Sequence, residues 1–174
     1  MSRAPPIDLT CAGTARKFAA SFMATSDERK HMKTVTAIKL TQEGAMMVLR
    51  GALDKAASLG VAAAVAVVDE GGHLFAFGRS EKTELYAVSI AQAKARSAAL
   101  TRFPSGKKSP SGNERDDHHA LAITLAAGPG SFVTIPGGLP IMVNGACIGA
   151  VGASGAAAKD TDIAQAGIDT FERY

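Results

Sequence analysis

The amino-acid sequence predicts an α+β fold: a five-stranded antiparallel sheet covered by helices on both faces. Three observations predict it. Apolar runs come in pairs joined by turn residues, as Val61 to Val68 and His73 to Phe77 are joined by Asp69-Glu70-Gly71-Gly72, so hairpins dominate. No β-α-β repeat appears. The run from Ala146 to Ala153 is apolar at successive positions, so a strand there needs cover on both sides.

The elements follow in order. From Leu40 the periodicity is helical, with Ala45, Val48, Leu49, Ala52, Leu53 and Ala56 on one face. Thr41 suits the N-cap, Glu43 the first turn and Gly60 the end. The hairpin comes next. A second helix is predicted from Thr83 to Leu100, with Ala87, Ala91, Ala95 and Ala98 forming a smooth stripe on which another element can sit closely. Pro104 and the Ser105 to Asn113 stretch break the pattern in a loop long enough to suggest a role of its own. Asp116-Asp117-His118-His119 opens a third, shorter helix that ends at Gly128-Pro129-Gly130. Three strands are then expected, Phe132 to Ile135, Leu139 to Val143 and Ala146 to Ala153. Asn144-Gly145 between the last two is the strongest hairpin signal in the chain. Thr161 to Phe171 closes the order as a helix, capped by Asp160 or Thr161.

Composition narrows the function classes. At 174 residues, with 47% hydrophobic and 20% charged residues, the chain suits one domain and not wholesale disorder. Alanine dominates, there are 18 glycines and no tryptophan, so close backbone packing replaces bulky side chains. The net charge of +3 suggests a nucleic-acid partner until it is divided by region. Residues 1–39 hold seven Lys/Arg against three Asp/Glu, and residues 40–174 hold twelve against thirteen. With the domain neutral and few aromatics to stack on bases, no nucleic-acid partner is expected. No apolar run spans a bilayer, so no membrane partner is expected either.

Residues 1–31 read as a leader ahead of a single domain at 32–174. Phe18 to Ala24 is a short apolar patch after Arg16-Lys17, but it lacks a cleavage pattern, so a cytoplasmic protein is expected, with export as the weaker alternative. Cys11 and Cys147 are too far apart and too unlike in context to suggest zinc or a disulfide framework. Cys147, in an apolar run, reads as a small hydrophobe.

Four segments carry a family resemblance: Ala66-Val67-Val68-Asp69-Glu70-Gly71-Gly72, Ala93-Lys94-Ala95-Arg96-Ser97-Ala98, Gly137-Gly138-Leu139-Pro140-Ile141 and the stretch from Val143 to Gly155. In this order, within Lys39 to Phe171, they resemble the GlcG/HbpS-type haem-binding proteins, a family that includes the C-terminal domain of PduO-type proteins. The resemblance implies a profilin-like α-β-α architecture, a homo-oligomer of dimers or larger assemblies, and haem or a related flat cofactor as ligand.

The residues that could carry such chemistry are few. Adjacent helical residues diverge by about 100 degrees, so one metal cannot easily take both His118 and His119. His118 shares a face with Leu121, Ala122 and Leu125 and is the choice as metal ligand, with His119 as the second cofactor-binding candidate. A helix N-terminus disfavours imidazolium and leaves a neutral ring suited to ligation or base catalysis. The plainer reading is a capped helix start carrying a partly buried histidine. Lys94 and Arg96 interrupt a small-residue helix and could meet haem propionates, or could lie along the surface and solvate it. His73 opens a strand after a turn and reads as a surface residue. Neither Gly128-Pro129-Gly130 nor Pro136-Gly137-Gly138 fits a phosphate or dinucleotide loop, and Ser154 lacks the spacing of a nucleophile elbow. The leading expectation is a small-ligand-binding protein with a pocket near the 118–127 helix. The alternative is an enzyme in which a neutral histidine moves a proton on a carbonyl or aromatic acid held by Arg96, Arg115 or Lys94. A scaffold without ligand is the third.

Overall fold

The computed structural model describes residues 33–128 and 130–173. The expected leader at 1–31, with Cys11 and Phe18, lies outside the described residues, as does Met32. The compact unit runs from Ile38 to Tyr174.

Helix α1 (Gln42–Ser58) starts where the sequence places it, with Thr41 Oγ1 accepting the Gly44 N–H at 3.1 Å. Strands β1 (Ala64–Asp69) and β2 (Leu74–Arg79) form the expected hairpin. Its turn is held by Asp69, whose Oδ1 accepts the N–H groups of Gly71 and His73, each at 2.9 Å. Helix α2 (Ala87–Thr101) begins four residues later than expected, because Thr83 and Glu84 are irregular and Leu85-Tyr86 form a turn. Helix α3 (Asp117–Ala127) carries Asp116 as its cap, accepting the His119 N–H at 2.7 Å. Strands β3 (Gly138–Val143) and β4 (Ala146–Ser154) meet at Asn144-Gly145, both at positive φ, 50° and 79°, the conformation of a tight hairpin turn. A 3₁₀ turn (Ala157–Lys159) leads into α4 (Asp160–Glu172).

Among the described residues the sheet has four strands, not the five expected, in the order β2-β1-β4-β3 and all antiparallel. The segment from Phe132 to Ile135 has strand-like residues but no strand partner. Its backbone bonds to side chains instead: the Val133 N–H donates to Ser97 Oγ at 2.8 Å, and the Ile135 carbonyl accepts from Ser105 Oγ at 2.7 Å. Two serines on α2 and the loop after it do the work of a neighbouring strand.

Helices cover both faces, as the doubly apolar β4 requires. On one face α1 and α4 pack against Val65, Val67, Leu139, Ile141, Val151 and Ala153. On the other, the alanine stripe of α2 meets Ala64, Ala66, Val68 and Ala150. The approach there is so close that a Cβ at Gly152 would lie 2.2 Å from the Ala91 carbonyl oxygen, and one at Gly138 2.2 Å from that of Lys94. Alanine on the helix and glycine on the strands let the backbones touch. Helix α3 stands apart, taking no part in the main helix and strand contacts and burying only Ala120.

Candidate functional site

Two clefts meet at Ile135 and Pro136, which line both. The first has a volume of about 530 Å³ and lies between the start of α2 and the start of α4. Tyr86 and Ile90 form one wall, Ser154 and Gly155 the end of β4, and Lys94 and Asp160 its charged part. The second, about 730 Å³, lies under the 105–114 loop and is lined by Ser105, Lys107, Lys108, Glu114 and Thr134.

Lys94 is the centre of the first cleft. It points inward from α2 and is 3% exposed, because its ammonium finds acceptors inside: the Ala153 carbonyl at 2.9 Å and Asp160 Oδ2 at 2.7 Å. Asp160 is buried too, and its other oxygen accepts the Ala156 N–H at 2.9 Å. The pair thus ties α2, the end of β4 and the entry to α4 together. Asp160 was expected to cap its helix; the side chain instead bonds back to Ala156 and across to Lys94, and Lys159 stands at the N-cap position without a side-chain bond. Gly137, at φ +114°, allows this approach, since a Cβ there would lie 3.0 Å from Lys94 Nζ and 2.8 Å from Ala153 O. Behind Gly155 sits Thr83, whose buried Oγ1 has no hydrogen-bond partner.

The other sequence candidates lie elsewhere. Arg96 Nε donates to the Gly72 carbonyl at 3.2 Å and its stem packs on the β1–β2 turn, so its fork props the hairpin. Arg115 bonds to the carbonyls of Lys107 and Lys108. Neither lines the Lys94 cleft, and neither do His118 and His119. Both histidines are exposed at the start of α3, so the partly buried histidine expected there is not found. The buried side of α3 is the one bearing Ala120, with Ile123 and Thr124 partly covered. His118 instead heads an outward stripe with Leu121 and Leu125, 59% and 67% exposed. Asp117 beside it takes a hydrogen bond from Lys107, which holds the Asp117 carboxyl below its ordinary range and the Lys107 ammonium above its own.

His73 is exposed, as expected, with Nδ1 3.2 Å from Asp69. Burial raises the Asp69 carboxyl, but the hydrogen bonds from His73 and Gly71 outweigh it and leave the group below its ordinary value. Cys147 is half-buried and donates to the Gly149 carbonyl at 3.3 Å, in keeping with a small packing residue. No group of three or more His, Cys, Asp or Glu side chains among the described residues could hold a metal ion alone. No helix among them is long and apolar enough to cross a membrane.

Sequence reasoning missed Tyr86, Ile90, Ser154 and the pairing of Asp160. The available signal was a lone lysine in an alanine stripe and one aspartate at the entry of the last helix, 66 residues apart.

Comparison with known proteins agrees with the resemblance read from the sequence. The family described as haem degrading protein HbpS-like matches residues 40–169. Protein GlcG of Escherichia coli strain K12 is 34% identical over 125 residues, covering 68% of this chain and 84% of GlcG. A double mutant of Streptomyces reticuli HbpS superposes with a TM-score of 0.65 at 27% identity, over 79% of this chain and 90% of that one. A structure described as a PduOC:heme complex shares the fold, with a TM-score of 0.61 at 24% identity over 76% and 95% of the two chains. With that match across nearly all of its compact unit, the chain belongs to the HbpS-like family.

Proposed function

We propose that the protein binds haem or a related flat cofactor on the outward face of α3, as part of a homo-oligomer. The observation that carries this reading is the stripe formed by His118, Leu121 and Leu125: an imidazole one and two turns from two leucines, all exposed on a helix that lends little to the core. Leucines at that exposure need a reason. A flat apolar cofactor held there would cover them, and His118 would be the residue that holds its metal. The donor set suits the group: a nitrogen ligand with apolar contact beside it. Haem, when bound, supplies a redox-active iron. The chain supplies the ligand, fixed in direction because Asp116 caps the first turn.

A haem on an exposed stripe still has one face in water, and a second copy of the chain would close it. Family membership and the haem named for the PduOC relative support the ligand class. The test is a haem titration followed by absorption. His118→Ala should abolish the Soret shift while the far-ultraviolet dichroism stays unchanged, and His119→Ala should leave most of it. Retention of the shift in both variants and in the double replacement would show that this pair does not ligate iron.

A further inference from the structure

The Lys94 cleft has two hydrogen-bond donors that the fold does not use. A lysine ammonium carries three protons. Lys94 spends two, on Ala153 O and Asp160 Oδ2, and the third has no acceptor. Ser154 is 4% exposed at the end of β4, and its hydroxyl, within reach of solvent, takes no protein partner among the described residues. What remains exposed of Ser154 opens into the cleft that it lines beside Lys94. Both donors line the same cleft, where an acceptor entering from outside can meet them together.

The opposite wall says what else the entrant must be. Ile90, Ile135 and Pro136 are apolar, and the volume of about 530 Å³ falls within the usual range for small-molecule pockets, roughly 300–1,000 Å³. Charge decides between a carboxylate and a neutral oxygen. Asp160 already balances Lys94 at 2.7 Å, so the cleft offers no net positive charge. A carboxylate placed there would give up its water and face the Asp160 carboxylate across one ammonium. A carbonyl oxygen accepts two hydrogen bonds through its two lone pairs and brings no charge.

We propose that this cleft is a binding site for a small uncharged molecule with an apolar body and a carbonyl oxygen, received by Lys94 Nζ and Ser154 Oγ. The site is independent of the haem surface on α3, since neither histidine lines it. It gives the Lys94–Asp160 pair a second use: the contact that ties the helices also aims a donor.

Acetophenone, benzoate and ethylbenzene, three probes of one ring size, separate the possibilities by ligand-observed NMR on the full chain. Acetophenone should bind, and the other two should bind more weakly. Ser154→Ala, which removes one hydroxyl and leaves the Lys94–Asp160 pair alone, should weaken acetophenone about fivefold, the effect of one neutral hydrogen bond. Ala158→Trp on the exposed rim should block it without touching the core, and haem titration of the same variant should be unchanged. The proposal fails if acetophenone does not bind, if benzoate or ethylbenzene binds equally well, or if either variant binds acetophenone like the parent chain.

Discussion

Replacing Lys94 with Met strands the Asp160 carboxylate in a site from which water is almost excluded. Removing one partner of a buried pair destabilises by about 3–5 kcal/mol, far more than the loss of a surface lysine. Urea unfolding should show that loss for Lys94→Met, and Lys94→Met with Asp160→Leu should recover part of it, because the second change removes the unpaired charge. Additive losses in the double variant would mean that the two groups act separately. The sequence showed Lys94 as the odd residue in an alanine stripe but left it either reaching a propionate or lying along the surface. Its actual partners, Ala153 O and Asp160, are 59 and 66 residues away, beyond any local pattern. Thr41 and Asp116 bond only three residues on, to Gly44 and His119, and the signals for their caps are plain in the sequence.

At the scale of elements, the same contrast separates what could be read from what could not. The β1–β2 and β3–β4 hairpins carry their turn chemistry within a few residues, and both form where expected. The segment from Phe132 to Ile135 has the composition of a strand, yet Ser97 and Ser105 take its hydrogen bonds, and no periodicity announces that. The first turn is also where acidity should be felt. Asp69 is held below its ordinary pKa in the folded hairpin, so its contribution is present above the ordinary carboxylate range and is lost as pH falls through the depressed value. Asp69→Asn should therefore lower the unfolding free energy from urea curves at neutral pH by about 1–2 kcal/mol, as for hydrogen bonds to a charged acceptor, and the two proteins should converge in acid. A gap that stays constant with pH would assign the effect to packing. On the far side of the sheet, Gly152→Ala drives a methyl against the Ala91 carbonyl, and overpacking of this kind costs about 1–3 kcal/mol or more. Thermal unfolding of that variant should show a lower midpoint; an unchanged one would mean that α2 can lift from the sheet without loss.

For the whole molecule, the layers leave α3 as the element with the least to hold it. Its one buried residue is alanine, and the leucines that could have packed inward point out. A short helix that buries so little gains from cover on its apolar side, since short helices draw most of their stability from packing. On the function proposed above, haem would cover one face of such a stripe and a second copy would cover what haem leaves. The α3 surface should accordingly set both properties at once. Leu121→Glu with Leu125→Glu keeps good helix formers and the Asp116 cap, so the helix itself should survive while its apolar stripe is lost. Sedimentation should show the parent chain as a dimer or larger at micromolar concentration and the double variant as a smaller species, and the same variant should lose haem affinity although His118 is intact. If the variant assembles like the parent, the copies meet through another face; if it assembles less but binds haem equally well, the ring lies elsewhere and the stripe serves only the interface.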